Sequence, residues 1–140
     1  MITTKDLAYF RIAKQAAKLS TWKQVRYQIG CVVVLNHRII SSGFNTTKTD
    51  TLQKKYNKER FTEESCHMAH AELSALKPLL YDNTIDASKL KVYVYRELKT
   101  GKLGCARPCK SCMKLIKDIG IRYIYYTTSD GYAEEKILYT

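Results

Sequence analysis

The segment that most narrows the fold is residues 28–35, Gln-Ile-Gly-Cys-Val-Val-Val-Leu. This β-branched apolar run is typical of a buried strand rather than of one with a wet face. Asn36-His37 follows as a plausible tight turn, and Arg38 to Phe44 then supplies the second strand of a hairpin. Upstream, Thr3 with Asp6 resembles an acidic capping box. Leu7, Phe10, Ala13 and Ala17 recur at helical spacing, so residues 4–20 are expected to form a helix.

Beyond the hairpin, Asn45 to Ser65 is a long polar connection, of the kind that is often functional or mobile. Met68 to Leu80 has a helical pattern, with Ala69, Leu73, Leu76 and Leu80 on one side and Pro78 near the end. Leu90 to Tyr95 is expected as a third strand. Pro108 opens a helix running to Ile119, which Gly120 ends. Ile121 to Thr127 is a fourth strand, and Tyr132 to Tyr139 a short final helix. Two strand–helix–strand crossings in this order imply a mixed sheet with helices on its faces, an α/β layered fold. A chain of 140 residues suits one domain, 1–140, with one real core.

No apolar run approaches the roughly 20 residues of a membrane span, so no membrane association is expected. The first twenty residues hold no compact apolar block with a cleavage site. A cytoplasmic location follows as the expectation. Five cysteines cannot all pair with one another, and in an unsecreted chain they point to metal binding or free thiols. The net charge is +11, unevenly spread: the first sixty residues carry 12 Lys/Arg against 3 Asp/Glu, the remaining eighty 12 against 10. A basic half suggests an anionic partner, either a nucleotide phosphate or a nucleic-acid backbone. A merely solvated basic surface is the plain alternative.

Two motifs carry chemistry. His70-Ala71-Glu72 is the first, and Pro108-Cys109-Lys110-Ser111-Cys112 the second. One imidazole and two thiolates are good zinc ligands, and three protein ligands leave a fourth position open to water. Zinc lowers the pKa of such a water from about 16 toward about 7. Cys109 and Cys112 are three apart, on one face of a helix and in its first turn, where the dipole and free N–H groups favour thiolate. Glu72 need not bind metal. A carboxylate beside the open position can take a proton from water and pass protons to a ring nitrogen and to departing ammonia. Alone, either motif has a structural explanation; together, in this order and each opening a helix, they match the signature of zinc nucleobase deaminases.

On these residues the chain resembles the cytidine deaminase-like superfamily, and within it the cytidine/deoxycytidylate deaminase branch. The resemblance spans most of the chain. It implies a three-layer α/β/α sandwich with a mixed sheet of about four to five strands, the fifth short or missing because the chain ends soon after the fourth. It implies Zn2+ held by His70, Cys109 and Cys112, with Glu72 catalytic. Gly43-Phe44-Asn45 looks like the family's Gly-aromatic-Asn, whose Asn touches the nucleotide sugar; the implied substrate contacts are Asn45, Thr46, Ala71, Arg107, Pro108 and Tyr132. A homo-oligomer is implied as well. Arg107 stands where many relatives have Glu or Ser, and Thr46 where deoxycytidylate deaminases often have Gly. These departures leave the substrate open.

Two enzyme readings remain. In the favoured one a free cytosine-containing nucleotide or nucleoside is the substrate, and Thr46, Thr47, Lys48 and Arg107 are expected around its phosphate. In the other, a cytosine or adenine in single-stranded nucleic acid enters the pocket, with Lys54-Lys55-Tyr56-Asn57-Lys58 tracking the backbone and Tyr56 and Phe61 stacking on bases. A third reading is a catalytically inactive zinc-stabilised nucleic-acid binder, against which Glu72 argues. Cys66, His67 and Cys105 could form a second metal site or be free thiols. Cys31 reads as a buried small hydrophobe. Tyr132, after Asp130-Gly131, could stack on a base or pack on the sheet.

Overall fold

The computed structural model describes residues 2–20, 27–57 and 68–138. Helix α1 (Thr4–Ala17) leads to strands β1 (Gln28–Leu35) and β2 (Arg38–Phe44). Helices α2 (Thr51–Asn57) and α3 (Ala71–Leu76) follow, then β3 (Lys91–Glu97), α4 (Lys110–Ile119), β4 (Tyr123–Thr128) and β5 (Gly131–Lys136). The sheet order is β2-β1-β3-β4-β5. β1 is antiparallel to both neighbours, β3 and β4 are parallel, and β5 returns antiparallel on β4.

The apolar run in β1 makes sense because both of its faces are covered. Cys31 and Val33, with Val92, Val94 and Ile124, point to one side, where Ala71, Leu73 and Leu76 of α3 and Leu115 and Ile116 of α4 meet them. Val32 and Val34, with Tyr93, Tyr95 and Tyr125, point to the other, onto Phe10, Ala13 and Ala17 of α1. This is the period-2 alternation of a strand inside a three-layer α/β/α sandwich. Tyr125 stacks on Tyr93 with centroids 4.3 Å apart, so the tyrosines at 93 and 125 are sheet packing. Two glycines let the helices sit close. A Cβ on Gly30 would lie 2.0 Å from the Ala13 carbonyl of α1, and one on Gly43 2.6 Å from the Ala75 nitrogen of α3.

Local chemistry explains several boundaries. Thr3 and Asp6 form the reciprocal capping box that starts α1. Asn36 and His37 both have positive φ (49° and 66°), as a type I′ hairpin turn requires. Pro108 lies just ahead of α4, whose N-cap is Cys109 and whose C-cap is Gly120.

Three expectations need correction. The segment from Tyr132 is not a helix: Gly131–Lys136 is a fifth strand, neither missing nor reduced to a stub. Its Ala-Glu-Glu-Lys sequence favours a helix locally, but pairing with the whole of β4 outweighs that small propensity. Met68 to Leu80 is not one helix. α3 covers only Ala71–Leu76, and a 3-10 turn at Lys77–Leu79 follows where Pro78 cannot donate to an α-helical ladder. The polar connection after Asn45 contains α2, whose short polar sequence has little apolar periodicity. No helix among the described residues is long and apolar enough to cross a membrane.

Candidate metal centre

The crossovers bring two helix starts together. His70 is the N-cap of α3 and Cys109 the N-cap of α4, with Cys112 one turn in. The His70 Nδ1 atom lies 3.6 Å from the Cys109 Sγ and 3.4 Å from the Cys112 Sγ. The three ligand atoms all fall within 4.8 Å of one another. A tetrahedral zinc with sulfur at about 2.3 Å and nitrogen at about 2.0–2.1 Å sets the S···N separation at about 3.6 Å. The side chains therefore already stand where that ion needs them, and the donor set of one imidazole and two thiolates suits zinc.

The electrostatics agree. The Cys109 thiol is held down to about 3, first by a hydrogen bond from Cys112 and also by His70, against the opposing effect of burial. Cys112 is pushed well above its ordinary value, first because it hydrogen-bonds Cys109 and then because it is buried. A divalent cation held between these sulfurs would favour the thiolate form of both. Glu72 follows His70 by two residues and is only 5% exposed. Burial pushes its carboxyl up, while His70 pulls it down; Cys112 is also within hydrogen-bonding reach of it. A buried carboxyl beside the His70, Cys109 and Cys112 cluster is suited to proton transfer.

Other anticipated residues fall at different places. Thr46 is one strand-pairing away from the ligand segment: its N–H donates to Ala69 O (3.1 Å), and Ala69 N–H donates to Lys48 O (3.0 Å). Ala71 is buried in the first turn of α3. The Asn45 Oδ1 accepts from Ser20 Oγ (2.6 Å) and Ile29 N–H (3.0 Å), and its Nδ2 donates to Tyr27 O (2.7 Å). Among the described residues, Nδ2 makes this one hydrogen bond and keeps a second amide hydrogen. The Arg107 guanidinium makes a bidentate pair with Glu135, Nε–Oε1 and Nη2–Oε2 both 2.9 Å. Pro108 lies between that pair and Cys109. Tyr132 pairs with Thr127 across β4 and β5, and its ring lies 4.6 Å from Phe10, on the α1 side of the sheet. Cys66, His67 and Phe61 lie outside the described residues, while Cys105 is exposed.

A family model described as the cytidine and deoxycytidylate deaminase zinc-binding region matches residues 3–128. The chain belongs to this family. Among solved structures it is similar to cytidine deaminase from Burkholderia pseudomallei, with a TM-score of 0.62 at 15% identity over 93% of this chain and 91% of that one. It is also similar to dCMP deaminase from the cyanophage S-TIM5 in complex with dCMP and dUMP, with a TM-score of 0.61 at 21% identity over 94% and 89% of the two chains. These likenesses establish the shared fold. No curated protein matches the sequence.

Two contributors to this deaminase-family site were invisible in the sequence. Gln53 of α2, fully buried, accepts a hydrogen bond from the His70 backbone N–H at 3.1 Å. Ser20 holds Asn45 by donating to both its backbone carbonyl and its side-chain oxygen. Neither residue belongs to a motif, and only the tertiary contact identifies them.

Proposed function

We propose that the chain catalyses the zinc-dependent hydrolytic deamination of the cytosine base of a free nucleotide or nucleoside, releasing ammonia and leaving uracil. The observation that carries this reading is the placement of His70 Nδ1 at 3.4–3.6 Å from both sulfurs, with the buried Glu72 carboxyl beside them. His70, Cys109 and Cys112 hold the ion, which when bound supplies a Lewis-acidic centre and makes hydroxide available at neutral pH.

The residues of the chain do the rest. Glu72 accepts the proton of the attacking water and delivers it to the ring nitrogen. Attack at the amino-bearing carbon gives a tetrahedral carbon bearing hydroxyl and amino groups; Glu72, again a carboxylate, takes the hydroxyl proton and passes it to the amino nitrogen, so that the C–N bond breaks, ammonia leaves and the C=O bond forms. Burial raises the Glu72 carboxyl, which favours the return of a proton it has accepted. In this reading the second amide hydrogen of Asn45 donates to the sugar. The cyanophage relative binds dCMP and dUMP, which differ by the replacement of amino with oxygen proposed here.

The charge favours a second reading, a base within single-stranded nucleic acid, since the first sixty residues carry 12 basic against 3 acidic side chains. The test is to offer the purified protein dCMP, cytidine and a cytosine-containing single strand, following ammonia or uracil release. Turnover of dCMP or cytidine without the strand is expected; turnover of the strand alone would replace the first reading by the second.

A further inference from the structure

Arg96 is the penultimate residue of β3 and lies on the metal side of the sheet. Val94, two residues earlier, lies in the cluster with α3 and α4, and side chains two apart share a face. Across β1, Arg96 is in register with Ile29, and Val94 with Cys31. Both β1 residues pack on that same side. Arg96 therefore sits one side-chain row, about 7 Å along the strand, beyond the row facing the metal helices.

Its side chain is clamped. The Cζ atom lies 3.7 Å from the centroid of the Tyr27 ring. Gly104 also packs against it: a Cβ there would come within 3.1 Å of both Arg96 Cδ and Nε. Nη1 donates to the Cys105 carbonyl at 3.1 Å. Tyr27 is tied by its own carbonyl to the Asn45 amide, so the clamp and the proposed sugar contact are continuous.

Among the described residues, nevertheless, no carboxylate bridges this cation. Among the same residues Nε is buried without an acceptor, whereas Nη2 is neither hydrogen-bonded nor buried without a partner. Fixing an arginine by stacking while leaving its outer edge free preorganises it for an oxyanion, because less rotamer freedom is lost on binding. Arg107, the arginine that the sequence offers for this role, has its fork occupied by Glu135.

We propose that Arg96 is the specificity-determining residue for a phosphorylated substrate, its Nη edge receiving the monophosphate of the nucleotide whose sugar meets Asn45. This rests on the free-nucleotide reading above and selects nucleotide over nucleoside. A charge-assisted contact of this kind is worth about 10- to 100-fold in binding.

The experiment compares kcat/KM for dCMP and for deoxycytidine in the zinc-loaded wild type, Arg96→Gln and Arg96→Lys, with a cytosine-containing single strand as third substrate. The wild type is expected to prefer dCMP. The ratio of the two kcat/KM values should fall about 10-fold or more in Arg96→Gln, through KM for dCMP. It should fall less in Arg96→Lys, which keeps the charge and loses the fork; this variant carries the test if Arg96→Gln does not fold. A parallel loss on both substrates, which leaves the ratio intact, marks a structural role and overturns the proposal while the deaminase reading stands. An unaltered dCMP value does the same. Wild-type turnover of the strand with silence on dCMP and deoxycytidine overturns both the proposal and the reading beneath it.

Discussion

Gln53 and His70 are joined by a hydrogen bond from the His70 backbone N–H to Gln53 Oε1, 3.1 Å long. Gln53 Nε2 in turn donates to Asn57 Oδ1 at 2.9 Å, and both residues are buried. The helix that the sequence hides thus orients the histidine at the start of α3. Supporting contacts of this kind set the affinity of a metal centre as the ligands do. Gln53→Leu should weaken zinc binding about 10-fold, read by competition against a chromophoric chelator; zinc affinity equal to that of the wild type would remove Gln53 from the site.

Gly43 allows α3 to lie on β2. An added Cβ would meet the Ala75 nitrogen at 2.6 Å, the Ser74 Cβ at 2.8 Å and the Ala71 carbonyl at 2.9 Å, which are backbone or near-backbone atoms without room to move. Gly43→Ala should therefore destabilise the chain by about 1–3 kcal/mol. Because α3 follows His70 and carries Glu72, the same change should lower zinc affinity. Urea unfolding with and without zinc measures both; a midpoint at the wild-type concentration would show that the contact is slack.

The distance between what sequence patterns and tertiary contacts disclose is clear from particular residues. Asn36-His37 announces its turn because asparagine tolerates positive φ, and residues 28–35 announce a buried strand because nothing else suits three consecutive valines there. His70, Glu72, Cys109 and Cys112 are legible because metal chemistry demands those residue types at those spacings. Gly131–Lys136 is not, since an exposed edge strand bears the charged residues of a helix and is defined by its partner. Gln53, Ser20 and Arg96 carry no local signal at all: each matters through contacts with residues at least eight positions away.

Asp6 couples folding to acid. It is 5% exposed, accepts a hydrogen bond from the Tyr93 hydroxyl, and closes the α1 capping box. Burial alone would raise its carboxyl, but Tyr93 and then Thr3 more than offset this, so the folded value lies below the ordinary one. The stability this group contributes is thus present above its unfolded pKa of about 3.9 and is lost as pH falls through the folded value. Urea midpoints measured below about pH 4 should drop more steeply in the wild type than in Asp6→Asn. Equal slopes would show that Asp6 keeps its ordinary pKa in the fold.

Cys109→Ala and Cys112→Ala should each lose bound metal, since two protein ligands hold zinc poorly. Elemental analysis of the purified variants decides this, and one zinc per chain in either would remove that sulfur from the ligand set.

Glu72→Gln keeps size and shape but cannot shuttle protons. It should retain zinc and lose at least about 100-fold in turnover, in line with the usual contribution of general acid–base catalysis. Turnover within a few-fold of the wild type would assign the proton transfers elsewhere.

The most direct measurement is ammonia release from dCMP by protein stripped of metal with a chelator and then titrated with zinc. Activity is expected to be absent from the stripped protein and to rise to a plateau at one zinc per chain. Equal release before and after zinc, or none at any zinc level with dCMP, cytidine or a single strand, would contradict the account.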